Sequence, residues 1–134
     1  MVRFAARQWS RYHALMHGAA TDDGKLTIHL LQPNPHVPGT KVLTEDEERV
    51  IRDGLRFRDW VLTGYPLLQE ELGELVQRGV VAEDLTRIFS DIEEDIWIDG
   101  AHPNSRGSRL IMDRAIDLIE AHPAGQAGRA PTRP

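Results

Sequence analysis

The chain has no cysteine. Disulfides, thiolate chemistry and cysteine-held zinc are therefore excluded, while the redox compartment stays open because a cysteine-free chain suits either. Aromatic residues are scarce, at 6% of 134 residues. Trp9, Trp60 and Trp97 stand at unrelated spacings, which suits separate core anchors better than a sugar-stacking platform. No apolar run approaches the roughly 18 residues that a membrane-crossing helix needs. Basic residues are outnumbered, and a formal net charge of -5 argues against a general nucleic-acid binder, which needs a basic face for phosphates.

What remains is an ordinary globular composition, 40% hydrophobic and 28% charged, in a length that suits one domain. Residues 1–18 carry Arg3, Arg7 and Arg11 on one helical stripe, with Phe4, Trp9, Tyr12 and Leu15 elsewhere and no acidic residue. Transit peptides share that pattern, but a surface helix of the folded domain is the simpler reading. No apolar core of secretory length follows the first arginine, so the expected location is cytoplasmic.

Periodicity predicts a helix over residues 2–17, ended by Gly18 and the Thr21-Asp22-Asp23-Gly24 turn. Residues 26–31, Leu-Thr-Ile-His-Leu-Leu, read as a strand buried in a parallel sheet. Three prolines and Gly39 make residues 32–39 an irregular loop. Thr44-Glu45-Asp46-Glu47 is a capping box opening a helix to about Thr63. Gly64-Tyr65-Pro66 should break it, leaving a second helical piece over 67–77 that stops near Gly79. Residues 80–89 begin strand-like and turn at Asp84, and 96–98 form a shorter extended piece. Asn104 or Ser105 caps a last helix, with Leu110, Ile111, Ala115, Leu118 and Ile119 as its apolar stripe. Residues 123–134 read as a disordered tail. The alternation of helix and strand indicates an α/β protein with a parallel sheet, although only two good strands are visible.

The chemistry concentrates in Asp99-Gly100-Ala101-His102-Pro103-Asn104. A loop of this length can fold the Asp99 carboxylate onto the Nδ1 side of His102. An aspartate so placed fixes the tautomer, stabilises the imidazolium and leaves Nε2 to take a proton from a nucleophile. The competing reading is a loop aspartate capping a turn beside a solvent-facing histidine. Gln32, Asn34 and His36 follow the C-terminal end of a strand, where open α/β sheets bind ligands, so Gln32 and Asn34 are candidate substrate-binding residues. A merely irregular surface loop is an equal alternative. His13 and His17 stand one helical turn apart, a metal-chelating spacing, but a polar helix face is the simpler reading. His29 reads as a core or interface histidine. Glu45 to Glu48 and Glu70, Glu71 and Glu74 read as solvated helix surface.

Taken in order, several segments resemble the C-terminal part of the SGNH/GDSL hydrolase family. They are Leu30-Leu31-Gln32-Pro33, Leu43-Thr44-Glu45-Asp46-Glu47, Glu83-Asp84-Leu85-Thr86-Arg87-Ile88-Phe89 and Ile96-Trp97-Ile98-Asp99-Gly100-Ala101-His102-Pro103-Asn104 with Gly107 and a closing helix. The resemblance covers most of residues 2–122, and the Asp-His element is its most specific part. It implies part of a three-layer α/β/α fold on a parallel sheet, Asp99 and His102 as two members of a Ser-His-Asp triad, and no cofactor or metal. It also implies ester substrates such as acylated carbohydrates or lipids.

The chain departs from the family's pattern in lacking the serine nucleophile and the glycine and asparagine of the oxyanion hole. Ser10, Ser90, Ser105 and Ser108 lack a Gly-Asp-Ser context, and no Gly-x-Asn-Asp segment is present. The nucleophile is therefore expected from outside this chain. The first strand would then present an unpaired edge, and a homo-oligomer or a complementing chain is the expected remedy. The alternative is a non-catalytic binding or assembly module that uses that edge.

Overall fold

The computed structural model describes residues 1–122, with residues 53–56 described by backbone alone. The tail expected at 123–134 lies outside the described residues. In chain order the elements are α1 (Val2–Asp22), β1 (His29–Leu31), α2 (Glu45–Val50), a 3-10 turn (Ile51–Gly54), α3 (Leu55–Gln77), β2 (Ala82–Asp84) and α4 (Ser105–Ala121). Over half of the structure is helical, and the sheet holds two parallel strands. The coarse α/β class is therefore what the structure has.

Helix α1 runs past Gly18, where the sequence suggested a stop, and ends at Asp22. Gly18 meets no neighbour within 4 Å and needs no left-handed backbone, so it lowers propensity without forcing an end. The stop belongs to Gly24, whose φ of 67° lets its N–H reach the Thr21 carbonyl at 2.9 Å while Lys25 N–H reaches Ala20 at 2.8 Å. That pairing is a Schellman ending. Helix α3 ends in the same way at Gly79, and there the sequence signal was read correctly. Val80 N–H bonds the Leu75 carbonyl at 3.1 Å, and both side chains are buried.

The expected break at Gly64-Tyr65-Pro66 is absent. Helix α3 passes through Pro66, and the interruption falls instead at the 3-10 turn between α2 and α3. Pro66 is exposed, and packing of α3 against α1 offsets the hydrogen bond that its missing N–H removes. Trp60 is 61% exposed and anchors no core, whereas Trp97 is buried at 3%.

Strands β1 and β2 pair His29 with Ala82, Leu30 with Glu83 and Leu31 with Asp84. Side chains alternate between sheet faces. His29, Ala82, Leu31 and Asp84 share one face, which α1 and α3 reach through His13 and Gln69. Leu30 and Glu83 share the other, which Arg114 of α4 reaches at 2.8 Å. A hydrophobic cluster of buried side chains lies beyond the sheet. Ile51, Phe89, Ile96 and Trp97 form it, with Leu43, Ile88, Ile92, Leu110 and Ile111 against them, and Phe89 meets Trp97 edge to face.

Candidate functional site

Residues 96–104 fold back as a tight antiparallel loop. Trp97 bridges Pro103, Ile98 N–H bonds the His102 carbonyl at 3.0 Å, and Asn104 N–H bonds the Ile96 carbonyl at 2.6 Å. The expected extended piece at 96–98 is therefore a single bridge within this loop. Its far end is the N-terminus of α4, where the Asn104 side chain accepts from Gly107 N–H at 3.0 Å. Gly107 is required by packing. A Cβ there would sit 2.7 Å from Pro103 Cβ and 2.8 Å from Ile96 Cγ2.

Asp99 sits at the turn of this loop, and one of its carboxylate oxygens organises it. Oδ1 accepts from Ala101 N–H at 2.8 Å and from His102 N–H at 2.7 Å. The other oxygen lies 2.9 Å from His102 Nδ1. The sequence-derived pair is thus brought into contact. Because a carboxylate only accepts, Nδ1 carries a proton, and in the neutral ring Nε2 then keeps its lone pair. The His102 hydrogen bond and the two backbone amides hold the Asp99 carboxyl below its ordinary range. Both side chains are open to solvent, at 49% for Asp99 and 73% for His102.

A shallow cavity of about 260 Å³ adjoins the imidazole, lined by Gln32, Pro33, His102, Ser108, Ile111 and Met112 among others. Gln32 therefore reaches the site from the C-terminal end of β1. Asn34 does not line it. Its side chain accepts from His36 N–H at 3.0 Å and shapes the loop instead. Ser108 lies one turn into α4, not after a strand.

The histidines of α1 engage protein partners. His13 Nδ1 lies 2.6 Å from His29 Nδ1, and His17 Nδ1 lies 3.1 Å from Thr27 Oγ1. Among the described residues, no group of three or more His, Asp or Glu could hold a metal ion. The short contact needs one donor and one acceptor nitrogen, so the pair shares a single proton. Burial lowers the pKa of both rings, and for His29 the nearby His13 and His17 lower it further.

One residue at this end of the molecule was assigned to solvated surface from sequence and is not there. Glu47 is 1% exposed. Its carboxylate accepts from Lys41 Nζ at 2.7 Å, Thr44 N–H at 3.0 Å, Ile96 N–H at 2.7 Å and Trp97 N–H at 3.0 Å. Burial alone would raise its pKa, but the Lys41 hydrogen bond and the three amides outweigh it and hold the carboxyl low. The capping box was the visible signal, since the third helical residue of a box folds back over the helix start.

No family model matches the chain, and neither a curated protein nor a solved structure matches it. No helix among the described residues is long and apolar enough to cross a membrane.

Proposed function

We propose that the chain is the Asp-and-His end of an SGNH/GDSL-type serine ester hydrolase, completed by a serine from outside this chain. The observation that carries the reading is the Asp99–His102 contact, with Nδ1 held by a carboxylate at 2.9 Å and the ring open to an incoming group. In this reading His102 Nε2 takes the serine hydroxyl proton as the oxygen attacks the ester carbonyl. The Asp99 carboxylate stabilises the imidazolium, which then protonates the leaving alkoxide. Water, activated the same way, releases the acid from the acyl-enzyme. The substrate class is an ester such as an acylated carbohydrate or lipid, with Gln32 beside the reacting carbon.

The unfinished surfaces support the same reading. Helices lie on both faces of the two-stranded sheet, which fits part of a three-layer α/β/α fold. His29 N–H donates to the Val81 carbonyl just before β2 and the Leu31 carbonyl accepts from Leu85 N–H just after it, so alternation turns the Leu30 backbone groups to the open edge. Helix α1 exposes Phe4, Tyr12, Leu15 and Met16, with Leu15 at the rim of the groove shared with α3, and α4 exposes Met112, Ile116 and Ile119 on one stripe.

The test is to combine the chain with a polypeptide carrying the Gly-Asp-Ser and Gly-x-Asn-Asp segments of an SGNH hydrolase and follow p-nitrophenyl acetate cleavage. Activity above the sum of the parts, lost in His102→Ala and kept in Ser108→Ala, supports the proposal. No gain from combination sinks it. The second reading is an assembly module acting through the same open edge, favoured by the exposed apolar face of α1. There His102→Ala leaves partner binding intact, and Leu30→Pro, which removes an edge donor without touching the β1–β2 bonds, abolishes it.

A further inference from the structure

The geometry points to Glu47 as the positioning residue of the Asp99–His102 pair, a role that rests on the hydrolase reading above. A capping box asks only that the glutamate reach the N–H of the capping residue, here Thr44. It does not ask for burial, a buried lysine, or two amides from 49 and 50 residues away. Here the side chains of both Lys41 and Glu47 are fully buried. Taking two charges out of water is unfavourable enough that such a pair gives little net stability over apolar residues of equal volume. Its distinctive product is orientation. Four donors fill the acceptor sites of one carboxylate, and two of those donors are the backbone at Ile96 and Trp97.

Those two amides begin the Asp99 loop. Trp97 bridges Pro103, and the next rung joins Ile98 N–H to the His102 carbonyl. The start of α2 grips one residue more, since the Thr44 hydroxyl donates to Asp95. The loop that carries Asp99 and His102 therefore hangs from residues 95–97, and residues 95–97 hang from Thr44 and Glu47. A displaced acceptor at Glu47 is transmitted to the Asp99 carboxylate two residues beyond the clamp.

The test separates orientation from stability. In a Lys41→Met background, Glu47→Gln keeps an acceptor for the two amides, while Glu47→Leu keeps volume and removes it. Neither leaves an unpaired buried charge. The readout is the His102 tautomer by imidazole nitrogen NMR at about pH 8, where an ordinary imidazole is neutral. Lys41→Met/Glu47→Gln should retain the Nδ1-protonated form. Lys41→Met/Glu47→Leu should shift the tautomer ratio by about tenfold, as expected for losing one charge-assisted hydrogen bond. Glu47→Asp in the parent chain, with its carboxylate drawn back by one methylene, provides the same readout if the leucine variant does not fold. A parent-like ratio in the folded Leu variant, or in Glu47→Asp, overturns the proposal. The measurement needs no hydrolysis, so a shifted ratio together with no gain in esterase activity on combination with the serine-bearing polypeptide upholds the positioning role and refutes the hydrolase reading alone.

Discussion

Around Glu47 the chain closes on itself, and along the outer side of α1 it does not. In the first region a carboxylate, a lysine and three backbone amides satisfy one another over the fully buried Phe89 and Ile96. In the second, the face of α1 that meets α3 carries Ser10 and the Arg3–Glu70 pair. The bulkier side chains Phe4, Tyr12 and Leu15 face outward, at 67%, 61% and 59% exposure. Helix α1 buries only the small residues Ala6 and Ser10 and leaves its large apolar side chains in solvent, an exposed surface that the proposed function would cover with a partner. The first region leads into the Asp99–His102 pair, and the second belongs to the helix that meets β1 through His13 and His29. The contrast is between a buried, fully hydrogen-bonded carboxylate and a helix that leaves large apolar side chains exposed.

The comparison breaks most decisively at Glu47. Glu47→Ala leaves Lys41 charged, buried and unpaired, and should destabilise the chain by about 3–5 kcal/mol in urea unfolding. A loss under about 1 kcal/mol, within the range of surface substitutions, would place Glu47 on no structural footing. Gly107→Ala comes next, because its Cβ would press on Pro103 and Ile96. The expected loss is about 1–3 kcal/mol from overpacking, with the Asp99 loop loosened in amide exchange.

Acid should act on the two regions at different stages. His13 and His29 have folded pKa values below their ordinary 6.5, so the unfolded chain binds protons first. Their stability contribution is whole above about pH 6.5 and is lost as pH falls from there through the folded values. Glu47, held below its ordinary 4.5, contributes fully above that value and is lost only as pH falls through its lower folded pKa. Urea midpoints should therefore drop in two steps, the first loosening α1 from β1. His29→Asn should shrink that first step, and an unchanged step would remove the histidine pair from the account.

The smallest effects sharpen the contrast from the open side. Phe4→Ser and Leu15→Ser should leave the stability of the chain within about 0.5 kcal/mol, as for surface positions, while weakening its association with the serine-bearing half. A large stability loss would mean that the outer face of α1 is already covered in the chain alone. His102→Ala, at a largely exposed ring, should likewise unfold as the parent does.

Legibility in the sequence followed the range of the interaction. The Asp99–His102 contact spans three residues, and the Thr44 and Asn104 caps span three each, so local pattern sufficed for all of them. Gly79 was read correctly as a helix end and Gly18 was not, because a glycine in a helical stretch signals a stop only where the backbone turns left-handed, as it does at Gly24. Pro66 defeated the reading because packing along α3 outweighed a local breaker. For Glu47 the capping box signalled only the fold-back onto Thr44, and its full burial was not legible because it depends on amides 49 and 50 residues away. Gln32 was placed beside His102 by topology, and its neighbour Asn34 went to a local turn.

The central claim is that His102 is a general base awaiting a serine. Fluorophosphonate labelling tests it most directly, because only an activated serine reacts. A polypeptide carrying the Gly-Asp-Ser and Gly-x-Asn-Asp segments should label at that serine when this chain is added and remain unlabelled with the His102→Ala chain. Labelling that ignores the chain, or that persists without the His102 imidazole, would contradict the account.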